Sequence, residues 1–245
     1  MKVIARFVSL ALLAAGCLSA AHAGLQVMGT RVVYRGADRD VSVRVNNTGN
    51  SPRLLQAWVD SGNERDRAET STAPFLVTPP VSRVEPGKGQ ALRLRFTGSS
   101  PLPQDRESVF WLNVVEIPPR PEADDGEGTH FLQFAVRTRI KIFYRPAALK
   151  GDAVAAADQL AWRLVKQDGK SALECVNDTD YNVSFADVRL KGAPDKPNDA
   201  TGGGMCPAKE RASFALEGGA DSGRLTFRSI DDYGAFREGE AAYSR

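Results

Sequence analysis

Beyond residue 23 the chain holds a single histidine, His130, and two cysteines, Cys175 and Cys206. The side chains that most often bind metals or move protons are therefore nearly absent. Neither cysteine belongs to a C-x-x-C pair, and structural zinc sites are built from several Cys and His ligands, so no metal is expected. A serine triad would have to recruit His130 from the polar stretch Arg120 to His130, where a solvated loop histidine is the simpler reading. Gly169-Lys170-Ser171 ends like a phosphate-binding loop, but Leu164 stands where that motif needs its first glycine. No H-E-x-x-H, S-x-x-K or G-x-S-x-G occurs, and Gly202-Gly203-Gly204 reads as loop because no helical pattern follows it. An enzyme is the weak reading, and no cofactor is expected.

The elements around these residues point elsewhere. Lys2 and Arg6, an apolar run from Phe7 to Leu18, and Ala21-His22-Ala23 have the order of an export signal cut after Ala23. The run is too short to span a bilayer, so no membrane insertion is expected. Cys17 would leave with the signal, and Cys175 and Cys206 would remain as an even pair in an oxidising compartment, which favours a structural disulfide. The chain of 245 residues carries 32 basic and 30 acidic side chains, a net charge of +2. That balance gives no basic field for nucleic acid.

Helical periodicity is hard to find after Gly24. Short alternating runs bounded by Gly, Pro, Asn and Asp dominate, as in Val41 to Val45 and Ala91 to Phe96. Further strands are expected over Leu25 to Tyr34, Arg53 to Asp60, Val109 to Ile117 and Phe131 to Tyr144. About seven strands before Pro146 suit an immunoglobulin-like sandwich. A second β-rich stretch follows, with strands expected over Gln159 to Lys166, Ser171 to Asn177, Tyr181 to Leu190, Ser213 to Leu216 and Arg224 to Ile230. The expected organisation is all-β: a signal at 1–23, a sandwich at 24–146, a linker at 147–151 and a second sandwich at 152–245.

Phe131 to Tyr144 is the most informative segment. At about fourteen residues it exceeds the usual strand of five or six. Strand alternation places Leu132, Phe134 and Val136 on one face. Periodicity alone leaves two readings open, ordinary sandwich core or an exposed edge able to pair with another chain.

LPQDRES (Leu102 to Ser108), FWLNVVEIPP (Phe110 to Pro119) and RTRIKIFYRPAAL (Arg137 to Leu149) resemble the periplasmic pilus chaperones of the PapD-like family. TRVVY (Thr30 to Tyr34), PFLVTPP (Pro74 to Pro80) and Asp231-Asp232-Tyr233-Gly234 fit the same family in the same order. The resemblance implies two immunoglobulin-like domains set as an L with a cleft between them. It implies pilin subunits as partners, each lacking the last strand of its own sandwich. Leu132, Phe134 and Val136 match the apolar row of the lent strand, which raises the edge reading above the core one. Arg31 and Lys141 match the cations that anchor the subunit's C-terminal carboxylate. Glu107, Arg145 and Asp232 match an ion network linking the two domains, and Cys175 with Cys206 would staple the second sandwich.

The resemblance further implies delivery to an outer-membrane usher from the periplasm, without catalysis. It leaves self-capping of the edge between two copies open. Lys141 has opposite parity to the apolar row, and either a bulge or a strong twist between Val136 and Lys141 would reconcile the two roles. The Arg120 to His130 loop is longer and more acidic than in many members, and Phe134 is bulkier than the usual aliphatic residue, which suggests a roomier pocket in the partner. The competing reading is a secreted tandem-sandwich adhesion module, which expects Leu132, Phe134 and Val136 to be buried.

Overall fold

The structure, a computed structural model, describes residues 24–119, 132–167, 169–191, 203–216 and 221–245. The expected signal at 1–23, the loop carrying His130, Phe131 and most of the expected loop from Lys191 to Gly204 lie outside the described residues.

Alternation becomes burial directly. In Val41 to Val45 the side chains of Val43 and Val45 are buried, while Ser42 and Arg44 are exposed. The first sandwich uses nine strands: β1 (Leu25–Val27), β2 (Arg31–Arg35), β3 (Val41–Asn47), β4 (Arg53–Asp60), β5 (Phe75–Thr78), β6 (Val81–Val84), β7 (Gly89–Phe96), β8 (Ser108–Ile117) and β9 (Val136–Arg145). One sheet has the order β1-β3-β7-β5 and the other β2-β9-β8-β4-β6. Their inner faces meet in a core that includes Val45, Leu55, Leu92, Leu112 and Ile142.

The expected single strand from Leu25 to Tyr34 is instead two strands in different sheets. β1 pairs with β3, and β2 runs parallel to β9. Gly29, at φ +101°, lets the chain cross between sheets, a conformation that costs little without a Cβ. The crossing has a consequence for β9. Because β2 begins only at Arg31, it covers Lys141 to Arg145, and among the described residues Val136 to Ile140 pair on one side alone, with β8.

The second sandwich starts after a short 3-10 helix, Ala155–Gln159. Its strands are β10 (Ala161–Gln167), β11 (Lys170–Val176), β12 (Val183–Leu190), β13 (Gly204–Cys206), β14 (Arg211–Ala215), β15 (Ser222–Ile230) and β16 (Phe236–Ser244). Gly204, expected in a loop, is a strand residue facing Phe214, where a Cβ would come within 2.5 Å of the ring. The hydrogen-bonded order is β13-β12-β15-β16-β10-β11-β14. β10 and β16 share only two pairs, Trp162 with Tyr243 and Arg163 with Ser244, so this is the corner where the sheet folds onto itself. The halves enclose a core around Trp162, Leu173, Phe185, Phe214 and Phe227.

Cys175 on β11 and Cys206 on β13 form a disulfide across this fold, closing a sequence separation of 31. Replacing both cysteines with serine is expected to cost about 2–5 kcal/mol and to lower the midpoint of the second domain in thermal unfolding. An unchanged midpoint in reductant would contradict that.

Candidate functional site

β9 continues beyond the sandwich that it belongs to. Its even-numbered side chains, Ile140, Ile142 and Tyr144, enter the core, and Val136 lies on the same face past the core's end. Leu132 and Phe134 extend that row. Leu132 is 80 %, Phe134 69 % and Val136 57 % exposed. The expected strand of about fourteen residues is corrected to ten, because Leu132 to Ala135 lie outside the ladder. Only Val136 of the apolar row is within β9. The side-chain amide of Gln133 donates to the carbonyls of Pro118 (2.8 Å) and Pro119 (3.0 Å), tying the segment to the end of β8.

No bulge separates Val136 from Lys141. Val136 to Tyr144 pair with Glu116 to Ser108 in unbroken register. Between Val136 and Lys141 the strand is regular, so these two side chains fall on opposite faces. Val136 continues the inner face, and Lys141 stands on the outer face.

Arg31 and Lys141 are register partners across the parallel β2–β9 pair, at the point where the open edge begins. Both reach the second domain. Arg31 Nη1 donates to the Ile230 carbonyl at 2.8 Å, and Lys141 Nζ donates to Ser184 Oγ at 3.1 Å. Arg31 also lies over the Phe143 ring, 5.9 Å from its centre. Its Nε is buried and has no hydrogen-bond partner among the described residues. Orphaned buried donors are rare in native structures, and each calls for a physical explanation such as a partner water or ion.

Burial depresses the Lys141 ammonium to a pKa of about 8, and the neighbouring Arg31 charge adds to the effect. Burial likewise lowers the Arg31 pKa, partly offset by Asp232 and Asp231. A lysine whose folded pKa lies below its ordinary 10.5 opposes folding in full below pH 8. That opposition fades as pH rises from 8 towards 10.5. Titration of Lys141 by NMR is expected to give a midpoint near 8, moving upward in Arg31→Ala but staying below 10.5 because burial remains. A midpoint near 10.5 in the unaltered protein would contradict this.

Beside the two cations, Arg145 joins the domains. Its Nε donates to Glu107 at 2.7 Å, and Nη1 and Nη2 grip both oxygens of Asp232 at 2.9 Å. Its guanidinium also lies 5.2 Å from the centre of the Tyr181 ring. Burial works to lower the Arg145 pKa, but the bonds to Asp232 and Glu107 overcome it and raise the value. Glu107 is pushed up by burial, against the pull of Arg145 and the donated N–H of Asn182 at 2.9 Å. The Glu107 backbone N–H donates to the Asp180 carbonyl at 2.9 Å. The bonds from Arg145 to Asp232 run between the two domains, and desolvation limits what such a network adds to stability.

Sequence reasoning missed Ser184, the Ile230 carbonyl and Asn182, which meet the cleft only through long-range folding. Asn177 is buried, and its side-chain amide donates to the Tyr181 and Cys206 carbonyls. The Asn182 side chain accepts from the Ala208 N–H. Among the described residues no cluster of His, Cys, Asp and Glu could hold a metal, and no helix is long and apolar enough to cross a membrane. The adhesion-module reading requires a buried apolar row, and the exposure of Leu132, Phe134 and Val136 counts against it.

These features define a two-domain, all-β protein of immunoglobulin-like architecture, with a half-open strand at one end of its first sandwich. Its first domain matches the family model described as "Pili and flagellar-assembly chaperone, PapD N-terminal domain" over residues 24–150. Its second matches "Pili assembly chaperone PapD, C-terminal domain" over residues 155–241. The chain belongs to the PapD-like family of pilus-assembly chaperones. It is 40% identical over 224 residues to the probable fimbrial chaperone YadV of Escherichia coli K12, covering 91% of each chain. The crystal structure of YadV superposes with a TM-score of 0.74, at 36% identity over 90% of this chain and all of that one. The SafB chaperone of Salmonella enterica, solved in complex with the SafA pilin, gives a TM-score of 0.73 at 26% identity, over 91% of this chain and 96% of that one. Fimbrial chaperones of this family are periplasmic.

Proposed function

We propose that this chaperone binds exported pilin subunits by lending β9, and passes them to an outer-membrane usher for assembly into a fibre. In this reading residues 24–146 form the lending domain, 147–151 a linker and 152–245 the second domain, after removal of a signal at Ala23. The observation that carries the proposal is the single-sided pairing of Val136 to Ile140, next to an apolar row that is mostly in solvent. Exposed strand edges template pairing with other chains, and natural proteins normally blunt them. A pilin lacking one strand supplies the missing neighbour. Ladder bonds then give general affinity, and Leu132, Phe134 and Val136 fill its groove.

Arg31 and Lys141 receive the subunit's C-terminal carboxylate. The support is their direct pairing, their shared burial and the orphaned Nε of Arg31. A carboxylate gives that donor a partner and offsets the repulsion between the two cations. Anchoring a terminus at the start of the open edge also sets register, since a one-residue slip turns every apolar side chain out of the groove. Bound carboxylate raises the Lys141 pKa from about 8, so binding takes up a proton above that pH. Pilin affinity is expected to be flat below pH 7 and to weaken above pH 8. Calorimetry in buffers of different ionisation heat at pH 8.5 should show proton uptake; none would argue against Lys141 as an anchor.

The SafB–SafA complex supports a pilin as partner for a relative of this fold. The test for this chain is periplasmic co-expression with candidate pilins from its own host. Strand lending predicts a soluble one-to-one complex and aggregated or degraded pilin in its absence. Pilin that accumulates equally well without the chaperone would overturn the proposal.

A further inference from the structure

The open half of β9 lacks a core beneath it as well as a second neighbour. Val136 is exposed and Thr138 only half-buried, and the fully packed face begins at Ile140. A strand segment with one ladder and little packing belongs to the low-stability end of a fold. What holds this one lies on its other face, in side chains from three strands.

Asp60, the last residue of β4, is buried without exposed surface. Its carboxylate accepts from Arg139 Nε at 3.0 Å and Nη2 at 2.6 Å, from Asn113 Nδ2 at 2.8 Å and from the Gly62 N–H at 2.7 Å. Asn113, buried on β8, extends the grip outward. Its Oδ1 accepts from Arg137 Nε at 2.9 Å and Nη2 at 2.7 Å. Arg139 lies 4.5 Å from the centre of the Trp111 ring and Arg137 lies 4.8 Å from that of Trp58. Arg137 Nη1 donates to the Glu64 carbonyl at 2.7 Å. Both arginines of the open segment are therefore held by two nitrogens and stacked on an indole.

A buried carboxylate adds little net stability, because desolvation offsets attraction. Four converging donors instead fix geometry. We propose that Asp60 is a positioning residue for strand lending: through Arg139, and through Asn113 to Arg137, it holds residues 136–140 flat against β8 before a guest strand arrives. The role rests on the reading of β9 as the lent strand. An edge ordered in advance spares the complex the cost of ordering it, and the binding-competent fraction sets the apparent affinity.

The test compares the full protein carrying Asp60→Asn with the unaltered protein and with Val43→Ala, a core variant in the opposite sheet that serves as a stability control. In free Asp60→Asn, the amides of 136–140 should exchange at least about tenfold faster, with those of 141–145 and β3 changed less than about threefold. Val43→Ala should show no such local excess. Association with pilin should slow by a similar factor while dissociation stays within about twofold. If Asp60→Asn does not fold, Arg137→Gln removes only the outer grip and should speed exchange at 136–138 alone. A uniform rise across the first domain, or no change at 136–140 in the folded variant, overturns the proposal. A protein that binds no pilin overturns strand lending, and with it the purpose of the brace, while exchange still decides whether the brace exists.

Discussion

A variant with serine at Leu132, Phe134 and Val136 will bind pilin at least about a thousandfold more weakly, yet unfold at the same temperature. Burying each of these side chains contributes roughly 1.5–3 kcal/mol, so losing all three removes several orders of magnitude in affinity. Their exposure in the free protein means that the folded chaperone loses almost nothing. Titration calorimetry and thermal unfolding of the same sample measure both halves. Equal loss of stability and binding would place the row in this protein's own core and contradict strand lending. Within the row, Phe134→Ile should weaken binding if the partner's pocket is roomy; unchanged affinity would count against that fit.

Arg31→Ala and Lys141→Ala will each reduce pilin affinity about 10- to 150-fold, the range for a charge-assisted hydrogen bond of roughly 1.5–3 kcal/mol. The stability response separates this from a folding defect. Lys141 opposes folding at neutral pH, so Lys141→Ala should leave the midpoint unchanged or raise it, even though its bond to Ser184 is lost. A pilin with an amidated C-terminus should bind the unaltered protein weakly and discriminate little between it and the two variants. If the amidated pilin binds as tightly as the free acid, the cations do not anchor a carboxylate.

Much of the fold was legible because alternation in a strand is local. Val41 to Val45 and Ala91 to Phe96 read directly as half-buried strands. The crossing at Gly29 was not legible, because Leu25 to Tyr34 is a plausible continuous strand until two sheets compete for it. That one glycine decides where β2 starts and thus how much of β9 stays open. The parity of Lys141 looked awkward only while both roles were assigned to one face. The outer-face brace had a local signature that could have been found. Trp58 and Asp60, Trp111 and Asn113, and Arg137 and Arg139 each stand two apart on expected strands. The partners of the cleft cations had none, because Ser184 and Ile230 lie in the second domain, far along the sequence from Lys141 and Arg31.

The most direct test of strand lending is amide hydrogen exchange across this chain before and after a pilin is added. A guest strand on the open edge should slow exchange at residues 132–140 by orders of magnitude, and should leave the β5 and β6 edges of the first sandwich unchanged. Protection confined to other surfaces, with residues 132–140 exchanging as fast as in the free protein, would contradict it.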